Sequence, residues 1–327
     1  MSARIRILTT GGTIASRPDP RGGVSVAVPG HELVTGAGPA VRAEVREVML
    51  AHSFNLTLSD VLRLAGQILA ELRGPTVNGV VVAHGTDTME ETAYLLDLLL
   101  PPEHTAVFTG AQRHAAEPDR DGPRNLADAV RVAADPAARG LGALITMAGL
   151  VHAARHATKA HTLSPEAFAS PGRGPIGEVF GERVRISSRP VRPLGFDLTE
   201  LGDLSARVDI VPVYLDADGV QIAACRAAGA RGLVLEAMGA GNPTPGVLRE
   251  IRSCVADGIA VLVASRCRQG PATPVYGAGG GADLAEAGAV FAGSLRAPKA
   301  RILLAAALAA ESRTGRALAR LRPHLDL

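Results

Sequence analysis

The chain has 327 residues, 47% hydrophobic and 20% charged, which suits a soluble globular protein with more than one core. Lys and Arg number 34 against 32 Asp and Glu, aromatics are 3% and Trp is absent. With no basic stripe and few rings for base stacking, nucleic acid is excluded as a partner. Three scattered cysteines, Cys225, Cys254 and Cys267, make neither a disulfide framework nor a zinc site, and suit a reducing compartment.

Along the chain, apolar runs ended by glycine alternate with helical patterns. Ile5-Arg6-Ile7-Leu8 reads as a first strand and runs into Thr9-Thr10-Gly11-Gly12-Thr13. It begins within five residues of Met1, leaving no room for a secretory leader. Gly79 to Ala83 reads as a second strand, and Thr88 to Leu100 as a helix with Met89, Tyr94, Leu95, Leu98 and Leu99 at helical spacing, stopped by Pro101-Pro102. Ala106 to Gly110 is the next strand, Pro123 to Asp135 a helix, Gly142 to Met147 a strand, and 176–187 an antiparallel hairpin. This rhythm predicts an α/β fold: a larger N-terminal domain (1–190) with a doubly wound, mostly parallel sheet plus a hairpin. A Pro-rich segment, 191–207, reads as a linker. A smaller C-terminal α/β domain (208–327) follows, with strands at 208–214, 232–236 and 259–264, helices near 218–228 and 243–257, and a closing helix from Pro298 to Glu311. The apolar stretch Ile302–Ala310 is too short to span a bilayer, so a cytoplasmic protein is expected.

Three segments can carry chemistry. Gly11-Gly12 before Thr13 is a turn in which backbone can approach a ligand closely. It lacks the glycine spacing of a dinucleotide fingerprint and the Lys of a phosphate loop, so it fits a structural turn as well as a nucleophile. Thr86-Asp87 closes the strand at 79–83. Asp87 can cap the next helix, with Glu90 completing a capping box, or it can receive an ammonium group while Thr86 orients or attacks a carbonyl. Lys159, within Thr158-Lys159-Ala160, can be a solvated surface residue or a base for a Thr hydroxyl.

Taken together, Thr10-Gly11-Gly12-Thr13-Ile14-Ala15 and His84-Gly85-Thr86-Asp87-Thr88-Met89-Glu90-Glu91-Thr92-Ala93 resemble the bacterial-type L-asparaginases. The likeness continues through Gly110-Ala111-Gln112-Arg113, Asp121-Gly122-Pro123-Arg124-Asn125-Leu126, Thr158-Lys159, Gly239-Ala240-Gly241-Asn242 and Pro298-Lys299-Ala300-Arg301, and so covers essentially the whole chain.

The resemblance implies hydrolysis of a side-chain amide of an amino acid, with release of ammonia through an acyl-enzyme and with no cofactor. It makes Thr13 the first candidate nucleophile, and Thr86, Asp87 and Lys159 a Thr–Lys–Asp arrangement analogous to a serine triad. Which Thr attacks is left open. Ser53 is implied to hold the substrate α-carboxylate and Asp87 its ammonium, with backbone at Gly85 and Ala111 and the position of Phe54 completing the pocket. Asn242 is implied to reach a neighbouring subunit's site, which makes the expected assembly a homotetramer built as a dimer of dimers. No metal is called for: His152, His156 and His161 around Lys159 read as surface polar residues.

Three positions depart from the family's pattern. The lid segment from Arg17 to Pro29 carries no Tyr, although Gly22-Gly23 offers a hinge. Phe54 replaces a hydrogen-bonding side chain, and Gly281 falls where a neighbour's carboxylate is expected. The reading is therefore an asparaginase with possible glutaminase activity and modest affinity. The alternatives are an amidase for another amino-acid amide and a weakened enzyme that senses amino acids.

Overall fold

In the computed structural model, residues 3–33, 41–74 and 76–325 are described. The chain divides into two compact units, Met1–Gly195 and Phe196–Leu327. The first begins with β1 (Ala3–Gly11), a hairpin of β2 (Ser16–Pro18) and β3 (Val24–Val26), the single turn α1 (Gly30–Leu33) and β4 (Val41–Ala51). There follow α2 (Leu58–Arg73), β5 (Gly79–Ala83), α3 (Met89–Leu99), β6 (Thr105–Thr109), α4 (Gly122–Ala134) and β7 (Gly142–Met147). Five shorter strands close the unit: β8 (Leu150–Ala153), β9 (Thr158–Lys159), β10 (Phe168–Ala169), β11 (Gly177–Phe180) and β12 (Arg183–Ile186).

The main sheet has eight strands in the order β12-β11-β8-β7-β6-β5-β1-β4. From β4 to β7 all neighbours are parallel, and from β7 to β12 they are antiparallel. Val80, Val81 and Val82 are each 0% exposed. Successive strand residues face opposite sides, so both faces of the sheet are covered. On one face Leu126, Ala129, Val130 and Val132 of α4 cluster with Ile5, Ile7, Val81, Val107 and Leu144. Each Leu, Ile or Val among them contributes about 1.5–3 kcal/mol on burial.

The two longest elements outside the predicted set are β4 and α2. Strand β4 alternates Val41, Ala43 and Val45 with Arg42, Glu44 and Arg46, the period of a half-exposed edge strand. Helix α2 opens on a capping box, Thr57 and Asp60 each binding the other's backbone N–H. Glu71 of α2 ties the two together by pairing with Arg6 on β1 and Arg46 on β4.

Strand order decides where a ligand can bind. From β1 the chain passes to β4 on one side, then through α2 to β5 on the other. Connections therefore diverge between β1 and β5, which opens a crevice at their carboxyl ends.

The second unit is a four-stranded parallel sheet, β13 (Val208–Pro212), β14 (Gly232–Ala237), β15 (Ala260–Ser265) and β16 (Val290–Phe291). Its helices are α5 (Val220–Ala227), α6 (Pro245–Ala256), α7 (Gly281–Glu286), α8 (Ala297–Ala310) and α9 (Thr314–Leu321). Helix α8 buries every residue from Ile302 to Leu308, as expected of a helix that is apolar all round. No helix among the described residues is long and apolar enough to cross a membrane.

The Pro-rich segment after the hairpin is anchored at its start. Arg192 donates from Nε to Asp97 Oδ1 (3.0 Å) and from Nη2 to the carbonyls of Asp97 (2.9 Å) and Leu100 (3.1 Å). Asp97 Oδ1 also accepts from the Ala143 amide at 2.9 Å. Burial pushes the Asp97 carboxyl up, while Arg192 beside it pulls the other way. Removing the carboxylate leaves a buried guanidinium unpaired, so Asp97→Ala is expected to cost about 3–5 kcal/mol in urea unfolding. A loss below about 1 kcal/mol would show the clamp to be incidental.

Candidate active site

Glycines assemble the site. β1 ends in Gly11 (φ 100°) and Gly12 (φ 80°), conformations that side-chain-bearing residues rarely adopt. A Cβ on Gly12 would stand 2.4 Å from Gly85 Cα and 2.6 Å from Gly85 N, inside any permissible contact. A Cβ on Gly85 would meet Ser53 Oγ at 2.6 Å, and one on Gly110 would meet His84 O at 2.6 Å and Thr86 Cγ2 at 3.2 Å. The Gly12 amide also donates to Ala51 O at 3.0 Å. The ends of β1, β4, β5 and β6 thus converge through bare backbone. Thr13, Thr86 and Ala111 are each the residue directly after one of these glycines.

Lys159 closes the group. It sits on β9, opposite Phe168 of β10. Its Nζ donates to Thr86 Oγ1 at 2.9 Å and to Asp87 Oδ1 at 2.6 Å. Thr86 is buried, whereas the Asp87 side chain is 51% exposed and that of Lys159 17%. Asp87 does not take the capping position open to it: α3 begins at Met89 with Thr88 as N-cap. Thr88 Oγ1 donates instead to Ser53 O at 3.0 Å, which fixes the turn holding Ser53. Thr13 opens a single 3-10 turn, Thr13–Ala15, and Ser16 Oγ donates to Gly12 O at 2.8 Å just below it.

His84, absent from the predicted set, forms the floor. It is fully buried, edge-on to Phe108, with Nδ1 2.7 Å from Gly85 O. A carbonyl can only accept, so Nδ1 carries the proton. Burial lowers its pKa to about 4, so the ring is neutral at pH 7. This bond draws the Gly85 carbonyl inward, and in a trans peptide that turns the Thr86 N–H the opposite way. The sequence signal was its place one residue before the Gly-Thr-Asp string.

Other predicted residues lie further out. Phe54 follows Ser53 in the 3-10 turn Ser53–Asn55, is 62% exposed and stacks on His52 at 4.9 Å. Asn242 belongs to the second unit, where its Oδ1 accepts from the Gly281 amide at 3.1 Å. The lid segment is the β2–β3 hairpin, with Asp19 accepting from the amides of Arg21 and Gly23 at its tip. His152 is not a surface residue: it is 2% exposed, its Nδ1 lies 2.9 Å from Ser170 Oγ, and burial lowers its pKa to about 4. Its place on β8, inside the sheet, explains the difference.

The parts in hand are those of an α/β enzyme with a Thr–Lys–Asp centre at the switch point of a doubly wound sheet. Residues 4–192 match the model of the asparaginase N-terminal domain, and 207–320 match that of the glutaminase/asparaginase C-terminal domain. The chain is 41% identical to a probable L-asparaginase of Deinococcus radiodurans over 311 residues, 92% of this chain and 91% of that one. It is 34% identical to L-asparaginase 2 of Escherichia coli, over 93% of this chain and 88% of that one. A crystal structure of a probable cytoplasmic L-asparaginase from Campylobacter jejuni superposes with a TM-score of 0.86 at 30% identity, covering 98% and 99% of the two chains. The chain belongs to the asparaginase family.

The neutral floor has a consequence for acid stability. His84 and His152 titrate near 4 when folded and near 6.5 when unfolded. Their contribution is full above pH 6.5 and is lost as the pH falls towards 4, about 3 kcal/mol each. Asn offers an amide donor near the Nδ1 position without a titratable ring. The urea midpoint of His84→Asn is therefore expected to fall less steeply between pH 7 and pH 5 than that of the parent. An unchanged slope would mean that His84 titrates normally.

Proposed function

We propose that this protein hydrolyses L-asparagine to L-aspartate and ammonia through an acyl-threonine, with weaker action on L-glutamine. The observation that carries this is the Lys159 nitrogen between Thr86 Oγ1 and Asp87 Oδ1, beside the Gly12–Thr13 turn. Thr13 Oγ1 attacks the amide carbon, and its proton passes by way of the Thr86 hydroxyl to Lys159 in its amine form. The tetrahedral oxyanion is held by N–H groups of the glycine turns. Lys159 returns the proton to the leaving nitrogen, ammonia departs, and water cleaves the resulting ester by the same route. Asp87 holds Lys159 as the carboxylate of a serine triad holds its His.

Ser53 receives the substrate α-carboxylate, backbone at Gly85 and Ala111 positions the rest, and Asp87 Oδ2 is open to the ammonium. Neither Phe54 nor Gly281 offers a carboxylate. The missing charge-assisted bonds, each on the order of 1.5–3 kcal/mol, predict a high KM. The exposed Phe54 ring also favours a second reading, an amidase for a larger amino-acid amide. The oligomer belongs to the proposal as well: Asn242 serves a neighbouring subunit's site in a dimer of dimers. So does a cytoplasmic location, which the free cysteines and the likeness to a probable cytoplasmic L-asparaginase of Campylobacter jejuni support.

Ammonia release from L-asparagine tests the reading. Thr13→Ala is expected to abolish it, and mass spectrometry of the trapped ester is expected to place the acyl group on Thr13. Lys159→Met is expected to lower kcat by about 10²–10⁴-fold, with stability changed by about 0.5 kcal/mol or less because Asp87 is solvated. No ammonia from either amide would refute the reaction, and an ester on Thr86 would move the nucleophile.

A further inference from the structure

We infer that Asn125 and Asp121 are positioning residues for this hydrolysis, which hold the Gly110–Arg113 loop against Thr86; the inference rests on the reaction proposed above. The loop leaves β6, packs Gly110 on Thr86 and carries Ala111. Its main chain is held by two side chains from the start of α4. The Asp121 carboxylate accepts from the Gln112 amide (3.0 and 3.2 Å) and the Arg113 amide (3.0 Å). Asn125 Nδ2 donates to Gly110 O (3.0 Å) and to Asp121 Oδ2 (3.1 Å). Asn125 Oδ1 accepts from the Ala148 amide at 3.0 Å.

Two features separate this brace from ordinary helix capping. Asp121 occupies the N-cap position of α4, where an acidic side chain usually binds the helix's own free amides, yet it makes no cap bond. Its carboxylate is turned to the loop. Asn125 is 1% exposed, so its bonds form away from water, where a reversed donor is costly. Its third partner, Ala148, holds a φ of 50° in the two-residue turn between β7 and β8. One carboxamide therefore sets the loop against a turn of the sheet itself.

Donor and acceptor directions make the inference testable. Asn125→Asp sets an oxygen against Gly110 O and the Asp121 carboxylate. Asp121→Asn keeps the shape but removes an acceptor from the loop amides. Kinetics are measured on L-asparagine per folded molecule, with the folded fraction taken from urea unfolding. Each single variant is expected to lose about 10²-fold in kcat/KM, the scale of a misplaced reacting group. The double swap restores a donor–acceptor pair between 121 and 125 and is expected to lose less than the product of the singles. A purely structural role would lower the folded fraction and leave kcat and KM per folded molecule within about twofold. That result in Asp121→Asn, whose partly exposed side chain tolerates the change, overturns the inference. A parent protein that releases no ammonia overturns the reaction it rests on, and the inference with it.

Discussion

The close approach of Gly12 to Gly85 is the constraint on which the site depends. Gly12 can meet the Gly85 backbone only because it has no Cβ, which would stand 2.4 Å from the facing Cα, and a Cβ on Gly85 would instead stand 2.6 Å from Ser53 Oγ. The meeting point is where the sheet's connections diverge, so the crevice that topology leaves open is narrowed by glycine. Ser53 and Gly110 press on the same centre from the ends of β4 and β6. The hydroxyls of Thr13 and Thr86 are each delivered one residue beyond a glycine contact. Any side chain at Gly12 or Gly85 has to part the strands before it reaches the chemistry.

Burial then divides the titratable groups between two tasks. His84 is sealed beneath the turn and held neutral, so it acts as a hydrogen-bond donor that sets one peptide plane. Asp87 stands at the open side, where water screens its charge, and Lys159 meets it from a side chain that is mostly covered. A charged imidazole under the turn would carry a desolvation cost that the fold does not offset. The base we propose, Lys159, accordingly reaches in from β9 rather than belonging to the floor.

Much of this was legible in the sequence, for physical reasons that differ by element. The runs Gly79–Ala83 and Gly142–Met147 are buried on both faces, so apolar content alone revealed them. Strand β4 is hard to see because its alternating charges lie on a half-exposed edge, whereas α2, although outside the predicted set, carries a legible stripe of Val61, Leu64, Ala65, Ile68, Leu69 and Leu72 at helical spacing. For Asp87, capping the helix and receiving an ammonium group were equally open locally. What decides between them is a residue 72 positions away, brought in by a two-residue strand pair that no local pattern announces. Asp121 shows the same limit: a carboxylate before Gly-Pro reads as a cap, and only the folded loop shows where it points.

Charge accounting at the crevice explains why a modest enzyme is the expectation. An amino-acid substrate brings one ammonium and one carboxylate. The carboxylate that faces Thr86 and Lys159 is Asp87, and Lys159 already occupies one of its oxygens. In the proposed binding mode, Ser53 would meet the substrate carboxylate with a neutral hydroxyl. Phe54 and its stacked partner His52 present ring surface where a hydrogen-bonding group would add grip. Binding therefore leans on shape, on backbone donors and on the loop that Asp121 and Asn125 hold in place. A site of that kind spends little attraction on the ground state. What remains for the proposed catalysis is the alignment of Thr13 and Thr86, set by the glycine contacts, with Lys159, which β9 carries.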